Sequence, residues 1–400
     1  MKRLFVIYMF CCFAVTAKAE WSFSQKIAVA PQNTAERTFH HLDASGRSNI
    51  AVSGNYLGIT WEDNHSGSPQ VYVAYKTLHA KKFANPVQLS TGSEAYEPCI
   101  ISLGKGRFAI AWEQDGHIWL RTLLRGKPTK ATRLSLHAGK QVSLLGLSDN
   151  KLLAAWVRPE GSNTRVVSTQ VRMNGHSQTA EKIRVVDLLD KKQKQSYPVL
   201  AQIKETIFIF WEDRRRGHTM LLYSTAQPGK AYSKPKILNE IVKKSKEFGR
   251  GNGVARVAVA SYGVDNIAAT WMDKRNRQTG YDIYSAFTSK NRAVFGKNQQ
   301  VQDSFGDNLA QWNPAIAANQ QGDVAIVWYD NREESMDILL STKTENGWSD
   351  DELVVPASGD GDQTNAAIVF DDKRNLHIVW IDQATHSSPT RLYYAVGKNQ

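Results

Sequence analysis

An apolar stretch ending in tryptophan recurs seven times along this chain, and no other feature limits the fold so strongly. The copies are NYLGITW ending at Trp61, RFAIAW at Trp112, KLLAAW at Trp156, TIFIFW at Trp211, NIAATW at Trp271, DVAIVW at Trp328 and NLHIVW at Trp380. Successive tryptophans stand 51, 44, 55, 60, 57 and 52 residues apart. After a polar turn each copy is followed by a second apolar run, beginning at Val71, Ile118, Arg165, Met220, Asp282, Asp337 and Arg391. Short runs rich in Val, Ile, Tyr and Trp, separated by Asp, Asn, Gly and Arg, are β-hairpins. Both members are apolar at most positions, so both faces of each sheet must be buried.

A shorter strand precedes each hairpin, as in Pro98–Leu103, Pro198–Ile203 and Pro314–Ala318, and another follows, as in Glu352–Val355. The expectation is an all-β chain folded as a seven-bladed β-propeller of four-stranded antiparallel blades. The last copy ends after its third strand, at Val396, whereas WSFSQKIAV (Trp21–Val29) resembles the fourth-strand segment WSDDELVV (Trp348–Val355). The N-terminal strand is therefore expected to close the last blade and pair both exposed edges.

Lys2 and Arg3, the apolar run Leu4–Val15 and the small residues Ala17 and Ala19 read as an export signal over residues 1–19. Residues 20–400 are then one propeller domain, placed in the periplasm or outside the cell, with no transmembrane segment. Two of the three cysteines leave with the signal, so Cys99 forms no intrachain disulfide and the fold rests on core burial. A formal charge of +12 falls to +9 once Lys2, Arg3 and Lys18 are removed. A field of that sign favours anionic partners such as acidic glycans, lipopolysaccharide, phospholipid head groups or nucleic acid. The expected partner is an anionic glycan or envelope component, or a protein. A monomer is expected.

Asp63, Asp213, Asp273, Asp330 and Asp382 each lie two residues after a repeat Trp, and Arg275 and Arg332 follow two residues further on. A residue that recurs in five blades reads first as a turn former, its carboxylate accepting backbone N–H groups or pairing with the nearby Arg. The repeat tryptophans read as core. Less repetitive is a basic cluster around the fourth blade: Lys191, Lys192 and Lys194 before it, Arg214, Arg215 and Arg216 in its turn, and Lys243, Lys244, Lys246 and Arg250 after it. These cations suit anionic ligands, with Arg275 and Arg332 as further candidates, although like-charge runs also serve simply as solvated faces. Tyr96, Tyr197 and Trp312 precede inner strands, where they either stack on a sugar ring at the channel mouth or seal one blade against the next.

Glu62, Glu97, Glu113 and Glu212 fall on the same face as those loops and offer the paired carboxylates that glycoside hydrolysis needs. Apart from adjacent His40 and His41 the histidines are scattered without metal-ligand spacing, and no phosphate-binding glycine loop occurs, so no metal or cofactor is expected.

The repeats WMDKRNRQTGYDIYSAFT (Trp271–Thr288), WYDNREESMDILLSTKT (Trp328–Thr344) and WEDRRRGHTMLLYSTA (Trp211–Ala226) resemble the degenerate neuraminidase repeats of sialidase-like propellers. The resemblance spans nearly the whole mature chain and is strongest from about Gln193 onward. It implies the propeller fold and, as one option, an exo-acting glycoside hydrolase of sialidase type. The departures are plain: the segment closest to the family's Asp box, Ser341–Ser349, lacks its Asp, there is no Arg-Ile-Pro near the N-terminus, and seven repeats replace six. A non-catalytic propeller that presents one charged loop face to a glycan, an anionic envelope component or a protein partner is the first reading.

Overall fold

The structure is a computed structural model that describes residues 21–31, 38–42, 46–148, 150–174, 177–188, 194–215, 217–240, 253–276, 280–288 and 294–399. The export-signal residues therefore lie outside the described residues, as do Arg216, Lys191, Lys192, Lys243, Lys244, Lys246 and Arg250.

Seven antiparallel sheets follow one another in chain order, each built as four successive rows from an inner to an outer strand. Blade 1 uses His40–His41 with Ile50–Ser53, then Tyr56–Asp63, Gln70–Thr77 and Val87–Gln88. Blades 2 to 6 begin with inner strands Ala95–Ser102, Lys140–Ser148, Gln195–Ile203, Val254–Tyr262 and Trp312–Ala318. Blade 7 runs Asp362–Phe370, Leu376–Gln383 and Arg391–Asn399, and its outer row is the N-terminal segment. Trp21 pairs with Asn399, Phe23 with Gly397 and Ile27 with Tyr394. The N-terminal strand thus closes the ring. In blade 6, Gly347–Trp348 and Glu352–Leu353 pair with the third strand in the same two-step manner. Among the described residues no helix is long and apolar enough to cross a membrane.

The core lies between the blades. All seven repeat tryptophans are buried, and the hydrophobic clusters join the sheet of one blade to that of the next. In four blades the indole N–H donates to the carboxylate two residues on: Trp61 to Asp63 (2.7 Å), Trp211 to Asp213 (3.0 Å), Trp271 to Asp273 (3.1 Å) and Trp328 to Asp330 (3.4 Å). Gln114 replaces the carboxylate for Trp112. Burying an indole without a partner for its N–H is costly, so one Asp both satisfies the core Trp and starts the turn. Asp382 departs from this pattern: it meets Lys26 of the closing segment at 3.0 Å.

Candidate functional site at the channel mouth

Six inner strands share one irregularity near their starts. The register with the second strand slips by one residue between Tyr96 and Cys99, Lys140 and Ser143, Ser196 and Val199, Ala255 and Ala258, Trp312 and Ala315, and Thr364 and Ala367. Each slip is a β-bulge whose middle carries a left-handed residue: Glu97, Gln141, Tyr197, Arg256, Asn313 and Asn365, with φ between 48° and 62°. L-residues with Cβ atoms adopt this conformation at a cost, and bulges of this kind re-aim a side chain. Six blades thus present six polar side chains of five kinds from equivalent positions in their inner strands.

Acceptors from the preceding blade hold the bulges in place. The residue immediately after the repeat Trp reaches the bulge N–H of the next blade: Glu62 accepts from Glu97 (3.1 Å), Glu113 from Gln141 (2.5 Å) and Glu212 from Arg256 (2.9 Å), while the Met272 sulfur lies 3.1 Å from the Asn313 nitrogen. Blade 3 has Val157 at that position, and there the Gln141 side chain takes over, accepting the Tyr197 N–H at 3.0 Å. The glutamates that looked like a free carboxylate set are therefore fixed at blade boundaries.

Blade 1 solves the same position differently. Its inner strand is interrupted between His41 and Ile50, and Gly46, Arg47 and Ser48 line a cavity together with inner-strand residues of blades 5, 6 and 7. Gly46, with φ of 77°, passes so close to blade 5 that a Cβ there would stand 2.3 Å from the Val257 carbonyl oxygen. Arg47 then turns inward and is almost wholly buried. Its guanidinium donates to the Val142 carbonyl of blade 3 (3.1 Å) and to Glu97 of blade 2 (2.5 Å). Sequence reasoning missed Arg47 because it stands in what reads as a linker. A cavity of about 70 Å³ remains beside it, lined among others by Asn313 and Asn365.

The rest of the ring is knit together. The Arg256 guanidinium lies 5.2 Å from the centre of the Tyr197 ring, and the Asn313 amide donates to Asn365 and to the Tyr329 hydroxyl, both at 2.9 Å. Burial, followed by the neighbouring Glu97 carboxylate, pushes the Glu113 carboxyl up to about 7, so it holds a proton near neutrality. Burial also raises Glu212 and the Tyr197 and Tyr329 hydroxyls. The mouth thus combines two cations, a carboxyl poised near neutral pH, further carboxyl groups, two phenols and three amides.

The other sequence candidates are placed elsewhere. Arg215 bridges Asp213 and Asp187, Arg275 bridges Asp273 and Glu240, and Arg332 bridges Asp330 and Asp351. Each guanidinium ties a blade's own turn to the stretch around an outer strand, and each is already engaged by two carboxylates. Arg214 is exposed and donates to Thr219 at 3.1 Å. Tyr96 donates to Glu94 at 2.6 Å, and Trp312 packs edge-on against Tyr281 at the boundary with blade 5. Of the three aromatics, Tyr197 is itself a bulge residue. His40 and His41 pair in the sheet with Asp63 and Glu62. Among the described residues no group of three or more metal-ligating side chains gathers.

No protein-family model matches this sequence, and no curated protein matches it. Similarity appears at the level of structure. A protein of unknown function from Dyadobacter fermentans is 8% identical, with 95% of this chain and 99% of that one covered and a TM-score of 0.57. An α-L-arabinofuranosidase from Fusarium graminearum in complex with an iminosugar inhibitor is 11% identical, with 94% and 98% covered and a TM-score of 0.52. An α-L-arabinanase from Penicillium chrysogenum complexed with arabinobiose is 10% identical, with 94% and 98% covered and a TM-score of 0.50. At such identities the likeness is one of fold: the chain is a β-propeller.

Proposed function

We propose that this chain is an exported propeller, acting in the periplasm or outside the cell, that binds a glycan at the mouth of its channel. One observation carries the reading: a bulge repeated in six blades displays five kinds of polar side chain, with only Asn used twice. Asn313 and Asn365 suit a purely structural left-handed bulge, whereas Glu97, Gln141, Tyr197 and Arg256 go beyond it and offer donors, acceptors and an aromatic face. Such a set suits the dense hydroxyls of a sugar, and Arg256 favours an anionic one. The fold's likeness to proteins crystallised with arabinobiose and an iminosugar is consistent with a carbohydrate ligand.

Titration of the purified mature protein with neutral and acidic oligosaccharides, arabino-oligosaccharides included, tests the reading. Arg256→Gln should weaken binding about tenfold. Equal affinity in the variant, or no binding across the panel, would overturn the assignment.

A second reading, an exo-acting glycoside hydrolase of sialidase type, is favoured by the Glu113 and Glu97 pair. A carboxyl near 7 beside another carboxylate is the electrostatic pattern of a general acid with its partner. Turnover of a fluorogenic sialoside or an aryl glycoside, abolished in Glu113→Gln, would establish it. Absence of turnover in a protein that still binds sugar would leave the non-catalytic reading.

A further inference from the structure

Away from the channel, a cleft of about 420 Å³ opens where the segment leaving blade 5 meets blade 6. Phe305 and Leu353 line it together with Asp303, Glu333 and Asp350, over the half-buried Arg332–Asp351 pair. Phe305 is 84% exposed and Leu353 41%, and Val355, two residues further on, is 72% exposed.

This exposure does not come from a loose loop. Asp303 accepts the Phe305 N–H at 2.9 Å with one oxygen and the Asp351 N–H at 3.1 Å with the other, while its own N–H donates to Asp351 at 3.1 Å. On the far side of the turn, the buried Gln311 amide donates to the Gly306 carbonyl at 2.7 Å. The aromatic ring is thus held in water by a turn fastened at both ends. Exposed apolar groups gathered at one cleft, rather than scattered singly, mark a docking surface.

Charge indicates what docks. From Asp303 to Asp362 there are thirteen acidic residues and two basic ones, a net of −11 in a chain of +12, which leaves +23 for the remainder. The apolar groups therefore sit in a strongly acidic stretch of a basic protein, which favours a cationic partner.

We propose that this cleft docks an extended segment of a partner protein in which a lysine or arginine stands beside a phenylalanine or leucine. The apolar side chain rests against Phe305 and Leu353, and the cation faces Glu333 and Asp350.

The probe is a fluorescein-labelled octapeptide with Lys-Phe-Lys-Leu between Gly-Ser ends, followed by anisotropy against the purified mature protein. Control peptides carry Ser for the two apolar residues, or Glu for the two lysines. Binding is expected for the first peptide alone. Phe305→Ser should weaken it about tenfold, and so should the pair Glu333→Gln and Asp350→Asn, with melting temperatures unchanged. Arg256→Gln should leave it intact, which separates this surface from the channel mouth. Equal binding of the serine control, or full affinity in Phe305→Ser, overturns the proposal. Self-association that Phe305→Ser abolishes overturns it as well, assigning the cleft to a second copy of this chain.

Discussion

The Glu212 carboxyl accepts the backbone N–H of Arg256 at 2.9 Å, and so joins the second strand of blade 4 to the left-handed turn of blade 5. The same reach recurs from Glu62 to Glu97 and from Glu113 to Gln141. One side chain per boundary thus fixes both the spacing of neighbouring blades and the direction of the next polar group at the mouth. Blade packing and the candidate site are therefore two aspects of one set of hydrogen bonds.

Glu113 makes this set sensitive to pH. Its carboxyl titrates near 7, against 4.5 for a free glutamate, so in that window the folded chain binds a proton that the unfolded chain does not. Stability should therefore fall as pH rises from 4.5 to 7, by up to about 3 kcal/mol. In Glu113→Gln that part of the slope should vanish. Urea melts of both proteins across this range provide the measurement, and parallel curves would refute the assignment.

Gly46→Ala combines a left-handed conformation with a Cβ placed 2.3 Å from a backbone oxygen. The expected cost is at least about 2 kcal/mol, seen as a lower urea midpoint. An alanine protein with an unchanged midpoint would mean that the segment does not cross the channel in this way.

Removing one member of a buried ion pair is far costlier than removing an exposed one. Asp213→Ala leaves Arg215 with an incomplete partner set and the Trp211 indole without its acceptor, for a loss of about 3–5 kcal/mol. Asp382→Ala removes a single contact, to a Lys26 side chain that is 42% exposed, and should cost less, about 1 kcal/mol. Comparable losses in the two variants would contradict the division.

The arginines of the blade 4 turn should separate in the same manner. Arg214 is exposed, whereas Arg215 is held by Asp213 and Asp187. Arg214→Ser should bring elution from heparin resin to lower salt without shifting the melting temperature. Arg215→Ser should lower the melting temperature instead. Unchanged heparin retention in Arg214→Ser would remove this turn from any anion-binding surface.

Deleting residues 21–29 strips the last blade of its outer row and uncovers apolar surface under Trp21, Ile27 and Val29. A loss on the order of 4 kcal/mol is expected in a thermal or denaturant melt. A truncated protein as stable as the intact one would show that the ring does not depend on this strand.

The blade count and the closure were legible because they rest on side-chain period and on Trp, which announce buried strands directly. The Asp two residues after the Trp was legible as a turn residue, but not as the acceptor of the indole N–H. The bulge ring was hidden. Positive φ at Glu97, Gln141, Tyr197 and Arg256 has no glycine to mark it, and the only local trace is Pro98, Pro198 and Pro314 just after three of the six positions. Glu62, Glu113 and Glu212 looked available for chemistry because sequence shows residue type and face but not the N–H group waiting in the next blade. For Arg275 and Arg332 the pairing with their own turn Asp was legible, but their second carboxylates, Glu240 and Asp351, were hidden because they are far from the turn in sequence.

The pairing of Trp21 with Asn399 also dictates an order of events. A chain made from its N-terminal side can build blades 1 to 6 one after another from local hairpins, but Trp21–Phe23 has no partner until Arg391–Asn399 exists. Sealing the circle then closes a very long loop, a slow step that waits on synthesis of residues 391–399. Until then Trp21 and the open edge of blade 7 remain exposed together, and that interval is when this chain is most prone to misassociate.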